Sequence, residues 1–193
     1  MTSSPVTFDL ERPPTFRRAH VFLRVLLLVV LSWLIGSPTE FGLVYVGLPV
    51  LAAILIAQHG ESGYLIEDGE RVTRWVGFVV GLVAYLALLT DELPSTSHPS
   101  VKFAVATSGH PTVGGALLRI VKAIPSALAL MLIGIVAWIV WIVAALSILI
   151  NESYPKSLWN FQRGVVRWEA RLLSYLASLV ATYPPFAFDT GTE

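Results

Sequence analysis

The chain has 193 residues, of which 55% are hydrophobic and 13% charged, and its 13 basic and 13 acidic side chains leave no formal net charge. A soluble domain of this size carries about 25% charged residues, so the composition is typical of an integral membrane protein. The balanced charge excludes the basic surface that nucleic-acid binding requires. The lack of cysteine excludes disulfides, thiolate catalysis and cysteine-ligated metals.

The apolar residues are concentrated in four segments, Val21–Gly36, Phe41–Ala57, Trp75–Leu89 and Ala123–Ile150. About twenty mostly polar residues precede the first segment, and Gly36-Ser37-Pro38 is a poor signal-peptide cleavage site. We therefore expect Val21–Gly36 to remain as a membrane helix. Turn residues at Ser37–Glu40 separate it from the second apolar helix, and the polar, glycine-bearing stretch Gln58–Glu70 predicts a surface loop.

The order of the segments repeats along the chain. The alternating residues Val6–Glu11, typical of a half-exposed strand, are echoed at Val101–Ala106, and Leu23-Arg24-Val25 is echoed at Leu118-Arg119-Ile120. Three further echoes follow in the same order, Leu34–Gly36 at Leu132–Gly134, Arg74-Trp75 at Arg167-Trp168, and Tyr85–Ala87 with Pro94 at Tyr175–Ala177 with Pro184. Such order predicts two tandem repeats, residues 1–95 and 96–193. The predicted fold is mostly α and membrane-integral. Each repeat comprises a short strand, a transmembrane or re-entrant helical hairpin, and an amphipathic interfacial helix.

The run Ala123–Ile150 contains no charge and has 28 residues. As one helix it would extend about 42 Å at ~1.5 Å per residue, against a hydrocarbon core of about 30 Å. A strongly tilted single span is one interpretation. The break in the first repeat favours the other, a hairpin that turns near Gly134 and is kinked at Pro125. Its short arms leave open whether they cross the bilayer.

The distribution of charge favours the hairpin interpretation. All 13 lysines and arginines lie in residues 1–20, 58–119 and 151–193 or within a few residues of them. Two hairpins would place these segments on one face of the membrane, which the positive-inside rule makes the cytoplasmic face. We therefore expect a multi-pass protein with both termini in the cytoplasm.

The segment Lys156–Thr182 is predicted to be an amphipathic helix. Its polar residues recur every three or four positions and include Arg163, Arg167 and Arg171 on one face. Three arginines with tryptophans beside them suit a helix at the level of the lipid headgroups. The alternatives are a plain solvated face and a defined anionic ligand.

Glu169 projects from the apolar side of the same helix. A buried carboxylate is unfavourable unless it is paired, so we expect a structural ion pair with Arg71 or Arg74 of the first repeat. A functional carboxylate is the alternative.

Residues with the spacing of a catalytic or cofactor site were not found. The four histidines, His20, His59, His98 and His110, show neither i, i+4 pairing nor a neighbouring acidic cluster, although two hairpins would bring His20 and His59 close together. No glycine-rich phosphate loop and no nucleophile elbow occurs. The sequence therefore predicts no cofactor, no metal and no enzymatic activity.

The second half resembles a bacterial membrane-protein family that is catalogued as domain of unknown function 4389. The resemblance extends over about Val101–Phe186, and the first half resembles a diverged second copy. Its motifs are Leu118–Pro125, the long apolar run, Ser153-Tyr154-Pro155, Phe161, Gly164-Val165, Arg167-Trp168, Arg171, Tyr175 and Tyr183–Phe186. The resemblance implies a location in the bacterial inner membrane and carries no activity.

These patterns lead to a functional hypothesis by elimination. We expect a non-catalytic accessory or scaffold subunit of a larger membrane complex, surrounded by lipid and bound to membrane-protein partners. The alternative is a protein that binds or handles anionic lipid through Arg163, Arg167 and Arg171.

Overall fold

The computed structural model describes residues 4–35, 39–93 and 101–187, with side chains except those of residues 32–35 and 39–43. The chain is mostly helical. Its elements in order are strand β1 (Val6–Leu10), helices α1 (Arg18–Ile35) and α2 (Thr39–Gly63), a π-helical turn (Tyr64–Asp68), helix α3 (Gly69–Leu86), strand β2 (Val101–Val105), and helices α4 (Val113–Lys122), α5 (Ile124–Asn151) and α6 (Lys156–Leu176).

The two strands form a small antiparallel sheet, in which Phe8 lies opposite Phe103 and Asp9 opposite Lys102. Alternation along β1 buries Val6, Phe8 and Leu10 and exposes the residues between them, as the period-2 pattern requires. Lys102 also forms an exposed ion pair with Glu11, with Nζ and Oε1 3.1 Å apart. The sheet therefore has one apolar face toward the helices and one charged face toward water.

The sheet covers a central pair of helices. Strand β1 packs on α6, β2 packs on α3, and α3 and α6 pack on each other. Helices α2, α4 and α5 contact α6 as well. Core residues Trp168, Leu172 and Leu176 of α6 cluster with Leu130 of α5. Helix α6 thus lies in the middle of the molecule between the sheet and the apolar helices.

The turn predicted near Gly134 is wrong, because α5 is one continuous helix from Ile124 to Asn151. A lone glycine inside a helix costs only about 1 kcal/mol relative to alanine. Opening the backbone among apolar side chains would cost several kcal/mol for each unpaired polar group. Pro125 lies in the first turn of α5, where its missing N–H has no helical partner to lose. The helix begins at Ile124, one residue before Pro125, and Pro125 does not kink it.

The predicted loop Gln58–Glu70 is also helical. Within α2 the backbone leaves helical geometry at Gly60, with φ 77° and ψ 176°, values that glycine adopts without strain. Tyr64, in the π-helical turn that follows, is fully buried, and its hydroxyl donates a hydrogen bond to the carbonyl of Ala177. This long-range contact holds a polar stretch in the core. The break predicted at Ser37–Glu40 begins outside the described residues, and Thr39 already belongs to α2.

Two helical stretches are long and apolar enough to cross a membrane, Val44–Leu86 and Ile124–Asn151. In each, only 22% of the most apolar 18-residue window is buried within the protein. Length and composition are therefore consistent with a membrane protein. Large apolar side chains that are more than half exposed occur on α1, α4 and α5, among them Phe22, Val29, Val121, Trp138 and Ile150.

Candidate functional site

The three arginines that the sequence places on one face of α6 lie under the sheet. The side chains of Arg163 and Arg167 are 19% and 14% exposed, and Arg171 is 4% exposed. Helix α6 is buried along most of its second half, so its three arginines do not form an open basic face. The helical periodicity is as predicted, but β1 covers the polar side.

The contacts of these arginines lead to β1 and to the C-terminal segment. Arg163 and Arg167 approach the Asp9 carboxylate, with N–O distances of 3.8 and 3.9 Å. The Arg167 Nε also donates to the Phe8 carbonyl at 3.1 Å, and the Arg171 Nη1 donates to the Ala187 carbonyl at 3.1 Å. The arrangement attaches the strand and the tail to α6. An anionic ligand would have to displace these contacts.

Two other arginines, which the sequence analysis did not single out as functional, each hold the C-terminal end of a helix. Arg24 of α1 is fully buried, and it donates to the Tyr85 carbonyl at 2.7 Å, to the Thr90 carbonyl and to the Asp91 carboxylate at 2.8 Å. Its guanidinium lies 4.4 Å from the centre of the Tyr85 ring. The sequence signal was an arginine inside the apolar segment Val21–Gly36.

Arg119 of α4 makes the corresponding contacts at the end of α6. It donates to the Val180 carbonyl at 2.7 Å and to the Tyr175 carbonyl, and its guanidinium lies 4.4 Å from the Tyr175 ring centre. Burial lowers the pKa of Arg119 from its ordinary value. Terminal carbonyls of a helix lack intrahelical donors and carry the negative end of the helix dipole. A guanidinium donates hydrogen bonds to these carbonyls, and its positive charge interacts favourably with the negative end of the dipole.

Both helix ends have the same backbone geometry. Leu88 after α3 and Ser178 after α6 adopt positive φ, 65° and 57°, and the amide of each donates back to a helix carbonyl, that of Tyr85 and of Tyr175 respectively. A left-handed residue here lets the chain turn while the last carbonyls remain paired. Each arginine therefore completes a helix terminus, which is a structural role.

Glu169 lies on the opposite side of α6 from the arginines and is partly buried. Among the described residues it forms no ion pair with Arg74, which is exposed, while Arg71 lies 3.8 Å from the Asp68 carboxylate. The predicted ion pair is therefore not found. Glu169 instead lies close enough to Tyr45 of α2 to interact with it electrostatically. Burial raises the pKa of Glu169 to about 7.

Replacing Glu169 with glutamine is expected to remove a pH dependence of stability. The folded-state pKa of about 7 lies above the ordinary value of 4.5, so the stability that the protonated Glu169 contributes is fully present below pH 4.5 and is lost as the pH rises through 7. At pH 8 the Glu169→Gln variant should be more stable by about 3 kcal/mol, at ~1.4 kcal/mol per unit of pKa. Denaturant unfolding between pH 5 and pH 8 measures this.

Glu67→Gln, which changes an exposed carboxylate, serves as the control and should follow the wild-type curve. Parallel curves for wild type and Glu169→Gln across this range would contradict the burial of an ionisable Glu169.

His20 and His59 have different partners. The Nδ1 of His20 lies 3.2 Å from the Tyr85 hydroxyl, whereas the Nδ1 of His59 lies 2.5 Å from the Asp68 carboxylate. No group of three histidine, aspartate or glutamate side chains that could hold a metal occurs within residues 4–35, 39–93 and 101–187. A cavity of about 30 Å³ opens beside Val6, Arg171 and Tyr183. Small-molecule pockets enclose roughly 300–1,000 Å³, so this cavity is too small for a substrate.

Comparison with known proteins identifies a family model that matches part of the chain. Residues 114–187 match the family model described as Domain of unknown function (DUF4389). The matched segment contains α5, α6, Arg119 and the three α6 arginines. No curated protein and no solved structure matches the chain. The family resemblance noted in the sequence is confirmed for this segment.

Proposed function

We propose that this chain, whose C-terminal part matches the family of DUF4389 domains, is a non-catalytic integral membrane protein that acts as an accessory or scaffold subunit of a larger membrane complex. One observation carries the proposal: the buried and partly buried arginines bind other parts of the protein itself, while the outer helices are apolar. Arg24 and Arg119 bind helix ends, and Arg167 and Arg171 bind the backbone of other segments. A cluster of polar groups aimed at a substrate is not seen in the described residues.

The outer surface supports a membrane location. Along α5 the side chains of Leu132, Trp138 and Ile150 are 62%, 63% and 69% exposed. Contiguous apolar surface of this extent on a soluble monomer would favour aggregation, whereas lipid is a good solvent for it. We therefore place the protein in the bacterial inner membrane, with its charged sheet at the cytoplasmic face.

An accessory role is supported by a second exposed apolar site, which lies on α3. Trp75 of α3 is 67% exposed and stacks edge-on with Phe78, with ring centroids 6.5 Å apart. Arg71, on the same helix, is also 68% exposed. Exposed tryptophan and arginine side chains are the residue types that dominate protein–protein binding sites. This surface, Arg71, Trp75 and Phe78, is the proposed partner contact.

The anionic-lipid alternative now lacks its supporting observation. Arg163, Arg167 and Arg171 would have to leave Asp9, Phe8 and Ala187 before they met a headgroup. Lipid binding by these arginines stays a prediction.

We also propose that the chain arose by tandem duplication, with its units in residues 1–95 and 96–193. Phe8 and Phe103 face each other at the centre of the sheet, 95 positions apart. Arg24 and Arg119, again 95 apart, make matching contacts with Tyr85 and Tyr175. The echo of Arg74-Trp75 at Arg167-Trp168 does not fit the proposed duplication. Both helices are continuous, but Trp75 precedes Tyr85 by ten residues and Trp168 precedes Tyr175 by seven.

Extraction from native membranes tests the function. We expect the chain to stay in the membrane fraction after washing with alkaline carbonate. In mild detergent it should be extracted together with partner proteins in a stoichiometric assembly, which mass spectrometry would identify. Trp75→Glu should yield the chain without its partner, and Thr7→Glu, on the exposed face of the sheet, should retain it. Release by carbonate would contradict the membrane location. A lone wild-type chain would contradict the accessory role.

A further inference from the structure

We infer that α5 does not cross the bilayer but lies in its plane, embedded in the leaflet that faces the charged sheet. The inference rests on the proposed membrane location and goes beyond it, because it assigns the lipid-facing surface and its orientation. It follows from the direction of three elements, α5, α6 and the N-terminal segment, which run side by side.

Helices α5 and α6 are antiparallel neighbours along their length. At the start of α5, the Ser126 hydroxyl lies 2.5 Å from the hydroxyl of Tyr183, which follows α6. Arg119, just before α5, binds the Val180 carbonyl. At the other end, only four residues separate Asn151 from Lys156, the first residue of α6. Each end of α5 is therefore close to the opposite end of α6.

The N-terminal segment, residues 6–16, follows the other side of α6. Val6 clusters with Tyr175 and Leu176 near the end of α6, and the carbonyl of Phe8 accepts from Arg167 farther back. Phe16 meets Tyr154, immediately before α6, with ring centroids 5.9 Å apart. Residues 6–16 thus cover α6 from one end to the other.

The N-terminal segment lies in water. Asp9 and Glu11 on its outer side are 56% and 75% exposed, and Lys102, opposite Asp9 on β2, is 63% exposed. Each charge at the bilayer centre would cost at least about 2.5–3.5 kcal/mol. If α5 crossed the membrane, α6 and these charges beside it would have to cross as well. Since the sheet stays in water, α6 and α5 both run parallel to the membrane surface.

Helix α5 has an unbroken apolar face that lipid can contact. Leu128, Ile139 and Ile150 lie 11 residues apart, on one side of the helix at 100° per residue, and are 53%, 59% and 69% exposed. A crossing helix of 28 residues would exceed the ~30 Å hydrocarbon core by about 12 Å. A helix in the plane has no such mismatch and buries its apolar face about 5–10 Å deep.

Depth measurements on single-cysteine variants test the inference, and the native chain has no cysteine to interfere. Leu128→Cys, Ile139→Cys and Ile150→Cys, each carrying a spin label, are reconstituted in phosphatidylcholine–phosphatidylglycerol vesicles. An in-plane helix gives three similar depths. A crossing helix places Ile139 deeper than both ends by up to about 16 Å, at ~1.5 Å per residue, which would overturn the inference.

Labelling from one side gives an independent result. Lys122→Cys and Ser153→Cys flank α5 at exposed positions, and a membrane-impermeant maleimide should modify both from the same side of sealed vesicles. Modification from opposite sides would overturn the inference and leave the membrane location intact. A lipid-borne quencher should reach the labels at all three α5 positions. If it reaches none of them, a protein partner covers this face, and the inference is overturned. Release of the chain by carbonate would instead contradict the proposed membrane location.

Discussion

Replacing Arg24 with methionine is expected to lower the free energy of unfolding by about 3–5 kcal/mol, the usual cost of removing one partner of a buried ion pair. Arg24 is fully buried and its partner Asp91 is 15% exposed. Methionine fills much of the volume but donates no hydrogen bond, so the carbonyls of Tyr85 and Thr90 lose the hydrogen bonds that Arg24 donates to them. Denaturant unfolding in mild detergent, followed by tryptophan fluorescence, measures the change.

A matched control lies on the same helix. Arg18 pairs with Glu152 at 3.2 Å, but the two side chains are 52% and 53% exposed. Exposed ion pairs contribute about 0–1 kcal/mol, so Arg18→Met should change stability little. Equal losses for Arg18→Met and Arg24→Met would contradict the structural role of Arg24.

Arg119→Met extends this comparison to the proposed duplication. Arg119 makes two backbone contacts that match those of Arg24, and no carboxylate among the described residues pairs with it. We expect a loss of the same sign and somewhat smaller size, because hydrogen bonds to charged groups contribute about 1.5–3 kcal/mol. A neutral Arg119→Met variant would count against equivalent roles for the two arginines.

Shortening Leu172 to alanine is expected to lower the free energy of unfolding by about 2–5 kcal/mol, as for other fully buried leucines. Leu172 is 0% exposed and lies where α6 meets α5 and β1, in the cluster with Leu130 and Val6. The lost methyl groups leave a cavity that three elements would have to move to fill. Thermal unfolding of the variant in detergent measures the loss.

Leu128→Ala is the control, because Leu128 is 53% exposed on the outer face of α5. It should change stability by less than about 0.5 kcal/mol in detergent. If Leu128→Ala were as damaging as Leu172→Ala, the side of α5 that faces the protein would have to be reassigned.

Charge content and helical spacing were the informative patterns in this sequence. Charge content and four apolar segments predicted a helical chain with membrane-compatible stretches, and two such stretches are present. The period of Arg163, Arg167 and Arg171 predicted one face of one helix, and they lie on one side of α6. In these cases the signal is local, because a side chain's position on a helix depends only on residues a few places away.

Three expectations failed because a distant contact decided the outcome. Gly134 was interpreted as a turn, but burial of α5 against α6 favours a continuous helix. Glu169 was paired with Arg74, but its neighbour is Tyr45 of α2. The arginine face was expected to meet lipid headgroups, but β1, more than 150 positions away, covers it. Nothing in the local sequence specifies which element packs on a polar stripe.

The sequence by itself determined the apolar class of the protein, its helical character and the positions of its charges, because composition and periodicity reflect local burial. Only the tertiary structure decided what those charges do. Arg24 and Arg119 bind helix ends, and the α6 arginines bind a strand, since carbonyl groups buried far along the chain require donors. The direction of α5 relative to the charged sheet was likewise decided by packing, because an apolar helix has the same composition whether it crosses a bilayer or lies within one leaflet.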